Sequence, residues 1–220
     1  MWQANYVYPI LNRLASYAII LLSLMHIAGV IGLGLETSRW LFQALTPFSL
    51  WTTGLLLILF QENKNAAFWR FALFAFGLGF GSEVLGVHTG LIFGDYAYGA
   101  TLGLKIWEVP LTIGLNWLVL VIGTGYLSSR LAIPGWLKSA IGAALMVAFD
   151  FVMEPVAMAL DFWDWSNSEI PLQNYRGWFG VAYLIQLSYH YGRFSKYNFL
   201  AGPVLLLQLL FFSALNFWVS

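Results

Sequence analysis

Cysteine is absent from the 220-residue chain, which excludes disulfides, thiolate metal sites and cysteine nucleophiles. Charge is scarce as well. Only 9% of residues are Asp, Glu, Lys or Arg, against roughly 25% in a soluble domain of this size. The ten basic and ten acidic residues balance, and no basic tail marks a nucleic-acid partner. Sequence signatures of common chemistries are missing too. There is no Walker loop, no G-x-G-x-x-G after a strand, no G-x-S-x-G elbow, no H-E-x-x-H and no D-D-x-x-D for a prenyl diphosphate. The start, Met1 to Arg13, lacks the charged n-region of a signal peptide, and no A-x-A-like cleavage signal follows.

What is present is apolar. Hydrophobic residues make up 60% of the chain, mean hydropathy is +0.74, and long apolar runs recur. A span needs about 20 mostly apolar residues. That length predicts spans at Leu14–Leu35, Leu45–Phe60, Phe68–Val87, Pro110–Leu127, Leu137–Leu160, Trp178–Tyr191 and Phe199–Val219. The expected fold is all-α, a polytopic transmembrane bundle of about seven helices forming one domain over residues 1–220. The sixth segment is short and carries Tyr183, Gln186, Ser188 and His190, so it is expected to pack inside the bundle. His26 and His190 are isolated.

Lys and Arg set orientation. With seven spans, Arg13, Lys64, Arg70, Arg130, Lys138, Arg193 and Lys196 fall on one side, and Arg39, Lys105 and Arg176 on the other. This predicts a multi-pass protein of the cell membrane with a cytoplasmic N-terminus. The two long loops, His88 to Val109 and Asp161 to Gly177, then lie on the outer face with most of the acids. Glu108-Val-Pro110-Leu111 precedes Trp117 at the spacing with which Glu169-Ile-Pro171-Leu172 precedes Trp178. Each follows an acid-bearing span and a long outer loop, which predicts a parallel internal repeat.

Three acids fall inside spans. Glu83 lies near the outer end of the third; Asp150 and Glu154 lie in the fifth. A charge at the centre of a membrane helix costs about 3 kcal/mol on insertion scales, so such residues face a cavity or bundle interior and are functional by default. The four-residue spacing of Asp150 and Glu154 puts both carboxyls on one helix face. Two close carboxyls in an apolar site share a proton, the arrangement a general acid and base need. Pro155 follows and removes a backbone donor. His88, five residues after Glu83, is expected to orient an acid, relay protons or cap a helix. Glu83, His88, Asp150 and Glu154 offer oxygen and nitrogen ligands, yet their spacing matches no metal motif, and no metal or other cofactor is expected. The loops add two aromatic blocks, Phe93-Gly94-Asp95-Tyr96-Ala97-Tyr98-Gly99 and Asp161-Phe162-Trp163-Asp164-Trp165, the second followed by Pro171, Asn174 and Trp178. By themselves these read as interface belts. Beside buried acids they also read as walls for a large apolar ligand and for a carbocation.

The order Glu83…Thr89-Gly90…Phe93-Gly94-x-Tyr96-x-Tyr98…Val109-Pro110-Leu111…Trp117, continued by Asp150-x-x-x-Glu154-Pro155…Trp163-x-Trp165…Pro171-Leu-x-Asn174-x-x-Gly177-Trp178, resembles the membrane carotenoid 1,2-hydratase family, of the bisanhydrobacterioruberin hydratase and γ-carotene 1'-hydroxylase type. The resemblance runs from about Gly77 to Trp178. Glu169-Ile170-Pro171 departs from the Gly-Val-Pro-like approach expected before the Asn. The resemblance implies a hydro-lyase of carotenoid biosynthesis. Without a cofactor it would add water from solvent to the C1=C2 bond of a lycopene- or γ-carotene-like ψ-end drawn from the lipid bilayer. Asp150, Glu154 and Glu83 would be catalytic. His88, Tyr96, Tyr98, Trp163, Trp165, Asn174 and Trp178 would bind substrate or position water. Two rivals share the acids: a small membrane lycopene cyclase, whose cation closes a ring, and a proton-coupled carrier with an acid relay.

The orientation is tested by reporter fusions. Alkaline phosphatase fused within 90–105 should be active in a bacterial host and inactive when fused near Arg130; the reverse pattern inverts the topology.

Overall fold

The computed structural model describes residues 4–219, with side chains placed from 13 to 218. Seven helices run along the described chain: α1 (Ala4–Gly34), α2 (Glu36–Leu59), α3 (Ala66–Thr89), α4 (Leu111–Ser129), α5 (Gly135–Ala159), α6 (Leu172–Tyr191) and α7 (Ala201–Val219). Six of them are long and apolar enough to cross a membrane. The seventh, α6, is long enough but too polar. It begins six residues before the expected Trp178 because Pro171, in extended conformation, starts the helix and leaves no donor unpaired. In α2 the helix reaches back to Glu36, well before Leu45. Pro47 inside it does not end it, and α5 likewise runs through Pro155.

Helix α4 is the centre. It is apolar nearly all round, and a helix of that kind must be covered on every side. It packs against α2, α3, α5, α6 and α7, burying most of its residues, Trp117 and Leu120 among them. Helix α1 packs outside, on α2 and α7. The lipid-facing sides carry exposed Leu24, Leu73, Phe151 and Phe217, the pattern expected of a bundle whose outer solvent is hydrocarbon.

Polar side chains join the helices internally. Gln186 on α6 donates to Thr124 Oγ1 (2.8 Å) and Val121 O (3.2 Å) on α4. Its amide lies where side chains on Gly125 and Gly142 would sit. Small residues at such crossings let helices close around a hydrogen-bonding group. Helix α6 buries one stripe, Asn174, Trp178, Ala182, Ile185, Gln186 and Tyr189, so Asn174 and Gln186 face the bundle rather than lipid.

Both long loops lie at one end. They carry β1 (Tyr96–Tyr98), β2 (Lys105–Ile106), β3 (Val109–Pro110) and β4 (Trp163–Trp165). β2 and β3 form a two-residue hairpin through Trp107 and Glu108, both at positive φ. β1 pairs antiparallel with β4, Tyr96 opposite Trp165 and Tyr98 opposite Trp163. Each strand has a buried–exposed–buried pattern, so the period-two alternation of strands turns all four rings inward.

The expected repeat is visible in this pairing. Helix α3, β1 and α4 correspond to α5, β4 and α6. Pro110 and Pro171 start the two later helices, and Trp117 stacks on Trp178 with ring centroids 4.3 Å apart. Two strands related by a local two-fold axis pair antiparallel, as β1 and β4 do.

Gly177 marks a close approach of α6 to the first loop. A Cβ there would lie 2.4 Å from the Ile92 carbonyl oxygen, and backbone cannot rotate away. Gly177→Ala should therefore destabilise the fold by about 1–3 kcal/mol, read as a lowered thermal midpoint in detergent; an unchanged midpoint would contradict this packing.

Candidate functional site

The repeat brings two glutamates to one small cavity. Glu83 stands on α3, six residues before the helix ends at Thr89. Its Oε2 accepts from the Tyr96 hydroxyl (2.5 Å) and the Tyr98 hydroxyl (2.7 Å), and its Oε1 from Trp117 Nε1 (2.9 Å). Glu154, on α5, has the matching set. Its Oε2 accepts from Trp163 Nε1 and Trp165 Nε1, both at 2.9 Å, and its Oε1 from Asn174 Nδ2 (3.1 Å). Both side chains are buried. In each half a glutamate thus takes two donors from its own Tyr-x-Tyr or Trp-x-Trp strand and one from the following helix. Hydrogen bonds to a charged acceptor are worth about 1.5–3 kcal/mol each, enough in sum to hold a carboxylate where no cation reaches it.

The tyrosines stay protonated and so can donate to Glu83. Burial, reinforced by the neighbouring Glu83 charge, pushes the hydroxyls of Tyr96 and Tyr98 far above their usual range.

The symmetry breaks at two positions. Asp150 lies one helical turn before Glu154. The equivalent place before Glu83 is Gly79, where a Cβ would lie 2.5 Å from Trp117. Asn174 follows Pro171 by three residues; its counterpart after Pro110 is Ile113. Only the second half therefore holds two carboxyls bridged by an amide. Asn174 Nδ2 donates to Asp150 Oδ2 (2.8 Å) as well as to Glu154 Oε1. Asp150 is fully buried, and its Oδ1 has no partner among the described residues.

The cavity between the glutamates is lined by Glu83, Glu154, Tyr96, Tyr98, Trp163, Trp165, Asn174 and Trp178, together with Asn116 and Trp117. Its free volume is about 20 Å³. One water needs about 10–15 Å³ by this measure, so there is room for one. Asp150 does not line it; it stands behind Asn174 and Glu154.

Of the residues singled out in the sequence, nine meet here: Glu83, Asp150, Glu154, Tyr96, Tyr98, Trp163, Trp165, Asn174 and Trp178. His88 does not. Its side chain is exposed, its Nδ1 bonds the Val84 carbonyl (2.9 Å), and its Nε2 lies 3.8 Å from Glu108 Oε2 at the surface. Five residues on a helix turn it well away from Glu83. Two cavity residues with hydrogen-bonding side chains, Trp117 and Asn116, carried no assigned role in the sequence. Trp117 is the third donor to Glu83. Asn116 lines the cavity and makes no hydrogen bond to a described residue; its signal was a lone amide inside an apolar span. Among the described residues, no group of three His, Asp or Glu is placed to hold a metal ion.

Fold and site together define an integral membrane protein with a small, acid-lined interior cavity. A family model described as carotenoid biosynthesis protein matches residues 44–219, and the chain belongs to that family. It is also similar to a protein named bisanhydrobacterioruberin hydratase from Haloarcula japonica, with 30% identity over 127 residues, 51% of this chain and 41% of that protein. The chain thus spans less than half the length of that relative. No solved structure matches the chain.

Trp117→Phe keeps a ring on Trp178 but removes a donor from Glu83. The expected loss is about 1–3 kcal/mol, seen as a lower thermal midpoint that Glu83→Gln in the same chain partly restores. No recovery in the double variant would mean that the bond does not carry the effect.

Proposed function

We propose that the protein hydrates an acyclic carotenoid, adding water across the C1=C2 bond of a ψ-end to give a tertiary alcohol. The observation that carries this reading is an acid-lined cavity with room for a single water. The family and the hydratase relative point to the same chemistry. A cyclase has no use for such a space, since its cation is quenched by a carbon–carbon bond within the substrate.

Asp150 and Glu154 hold one proton between them. Asp150 has the fewest donors, so it is the cheapest of the three carboxyls to keep neutral, and Asn174 couples it to Glu154. Glu154 faces the cavity and hands the proton to C2. The C2–H bond forms as the π bond breaks, leaving a tertiary cation at C1. The faces of Trp163, Trp165 and Trp178 and the carboxylate of Glu83 stabilise that charge, cation–π contacts contributing about 2 kcal/mol when desolvated. Water held near Asn116 and Glu83 attacks C1, and Glu83 takes the released proton. A proton passed back across the cavity to the Asp150–Glu154 pair restores the start. No electrons leave the substrate, so the reaction needs no redox partner. In this reading the protein lies in the cell membrane with its N-terminus in the cytoplasm and the cavity near the outer face.

Expression in a lycopene-producing host tests the reading. The pigments should gain one water mass per reacted end, and Glu154→Gln should lower hydration about 10²–10⁴-fold, the range of a lost general acid. A cyclised pigment isomeric with lycopene would identify a cyclase, and unaltered lycopene in membranes holding folded protein would overturn the proposal.

A further inference from the structure

Beside the inner cavity lies a much larger space, of about 270 Å³. It runs between α1, α2 and α7 and ends against α4 and α5. Four residues wall both spaces: Ile113, Asn116, Met153 and Trp163. The large groove therefore abuts the chamber that Glu83 and Glu154 face.

Its lining is apolar, with Met25, Leu33, Phe42, Leu50, Phe211 and Phe212 among the walls. Several polar residues there are already satisfied on their own helices. Thr46 donates to Phe42 O, Thr53 to Ser49 O, and His26 Nδ1 meets Leu22 O at 2.8 Å. Two uncommitted amides remain, Asn116 at the inner end and Gln208 on α7, whose buried Oε1 has no partner among the described residues. At the other end Leu45 and Phe48 line the groove and are also exposed on the outer side of α2, so it opens toward lipid.

We infer that this groove is the seat of the substrate's polyene chain. The molecule enters sideways from the bilayer past α2 and presents its end-group at Ile113 and Met153. The proposal rests on the hydration reading and adds the binding site to it. Size supports this division. A space of about 20 Å³ holds a water but not yet a branched hydrocarbon end, so the end-group arrives from the groove side and meets Glu154 by displacing the shared wall of Ile113 and Met153. The chain beyond that end has a long apolar wall to lie on. Burial of apolar surface yields about 25 cal/mol per Å², and in a bilayer the competing lipid is apolar too. Recognition is therefore a matter of shape rather than of hydrophobicity.

The test uses the full chain in lipid nanodiscs with lycopene as the probe. A polyene held in a chiral groove acquires circular dichroism in its visible band, a readout of binding that needs no reaction. Ser49→Phe fills the middle of the groove. Ala28→Phe does so at the more exposed rim, where folding is less demanding. Both should cut the induced band and lycopene hydration by about tenfold or more, about 1.4 kcal/mol. Leu73→Phe, on the lipid side of α3, should leave both at the wild-type level. Asp150→Asn should keep the induced band while losing hydration. An undiminished band in both folded groove variants would overturn the groove. A band that the groove variants abolish, in a protein that never hydrates lycopene, would uphold the groove and overturn the hydration reading instead.

Discussion

Three carboxyl groups lie buried in one apolar interior, and no lysine or arginine side chain bonds to any of them among the described residues. Everything around the site answers that constraint. No salt bridge reaches them among the described residues, so neutral donors must do the work: two phenols, three indoles and one amide. A cation beside the acids would favour their ionised form and leave no proton held for transfer. Neutral donors hold the charge while leaving the cavity free of any permanent positive group that would repel a carbocation.

The donors reach the acids because two loops distant in sequence pair as β1 and β4. One short antiparallel ladder sets Tyr96, Tyr98, Trp163 and Trp165 on a common inner face. The matching element order makes the first design problem the same in each half, with a glutamate clasped by its own strand. Departures from symmetry then become informative. Gly79 in place of a second acid leaves room for Trp117, whereas Asp150 and Asn174 build a carboxyl pair on the other side. In the proposed hydration, one half would store a proton and the other receive one. A symmetric site would have two equal acids and no direction to its chemistry.

The outer helices serve a different end. α1, α2 and α7 enclose an apolar groove against the acid-bearing core. The buried carboxyls and their donors thus come from α3 to α6 and the strands between them, while the groove is largely the work of the flanking helices.

Hydropathy alone determined the helical class, because a chain with so few charges and such long apolar runs can satisfy its backbone in lipid only by helices or a closed barrel. The residues Asp150 and Glu154 were recognisable as a pair, since a four-residue spacing places side chains on one face whatever the surroundings. Glu83 and the aromatic blocks stood out by type, as costly acids and crowded rings. Only the tertiary structure decided which ring serves which acid, because the β1–β4 register joins residues more than sixty positions apart. It also separated His88 from the site, drew in Trp117 and Asn116, and placed Asp150 behind Glu154 rather than on the cavity wall. Those outcomes depend on how helices cross and how closely they approach. Such quantities are set by many small contacts at once, and no local pattern of residues encodes them.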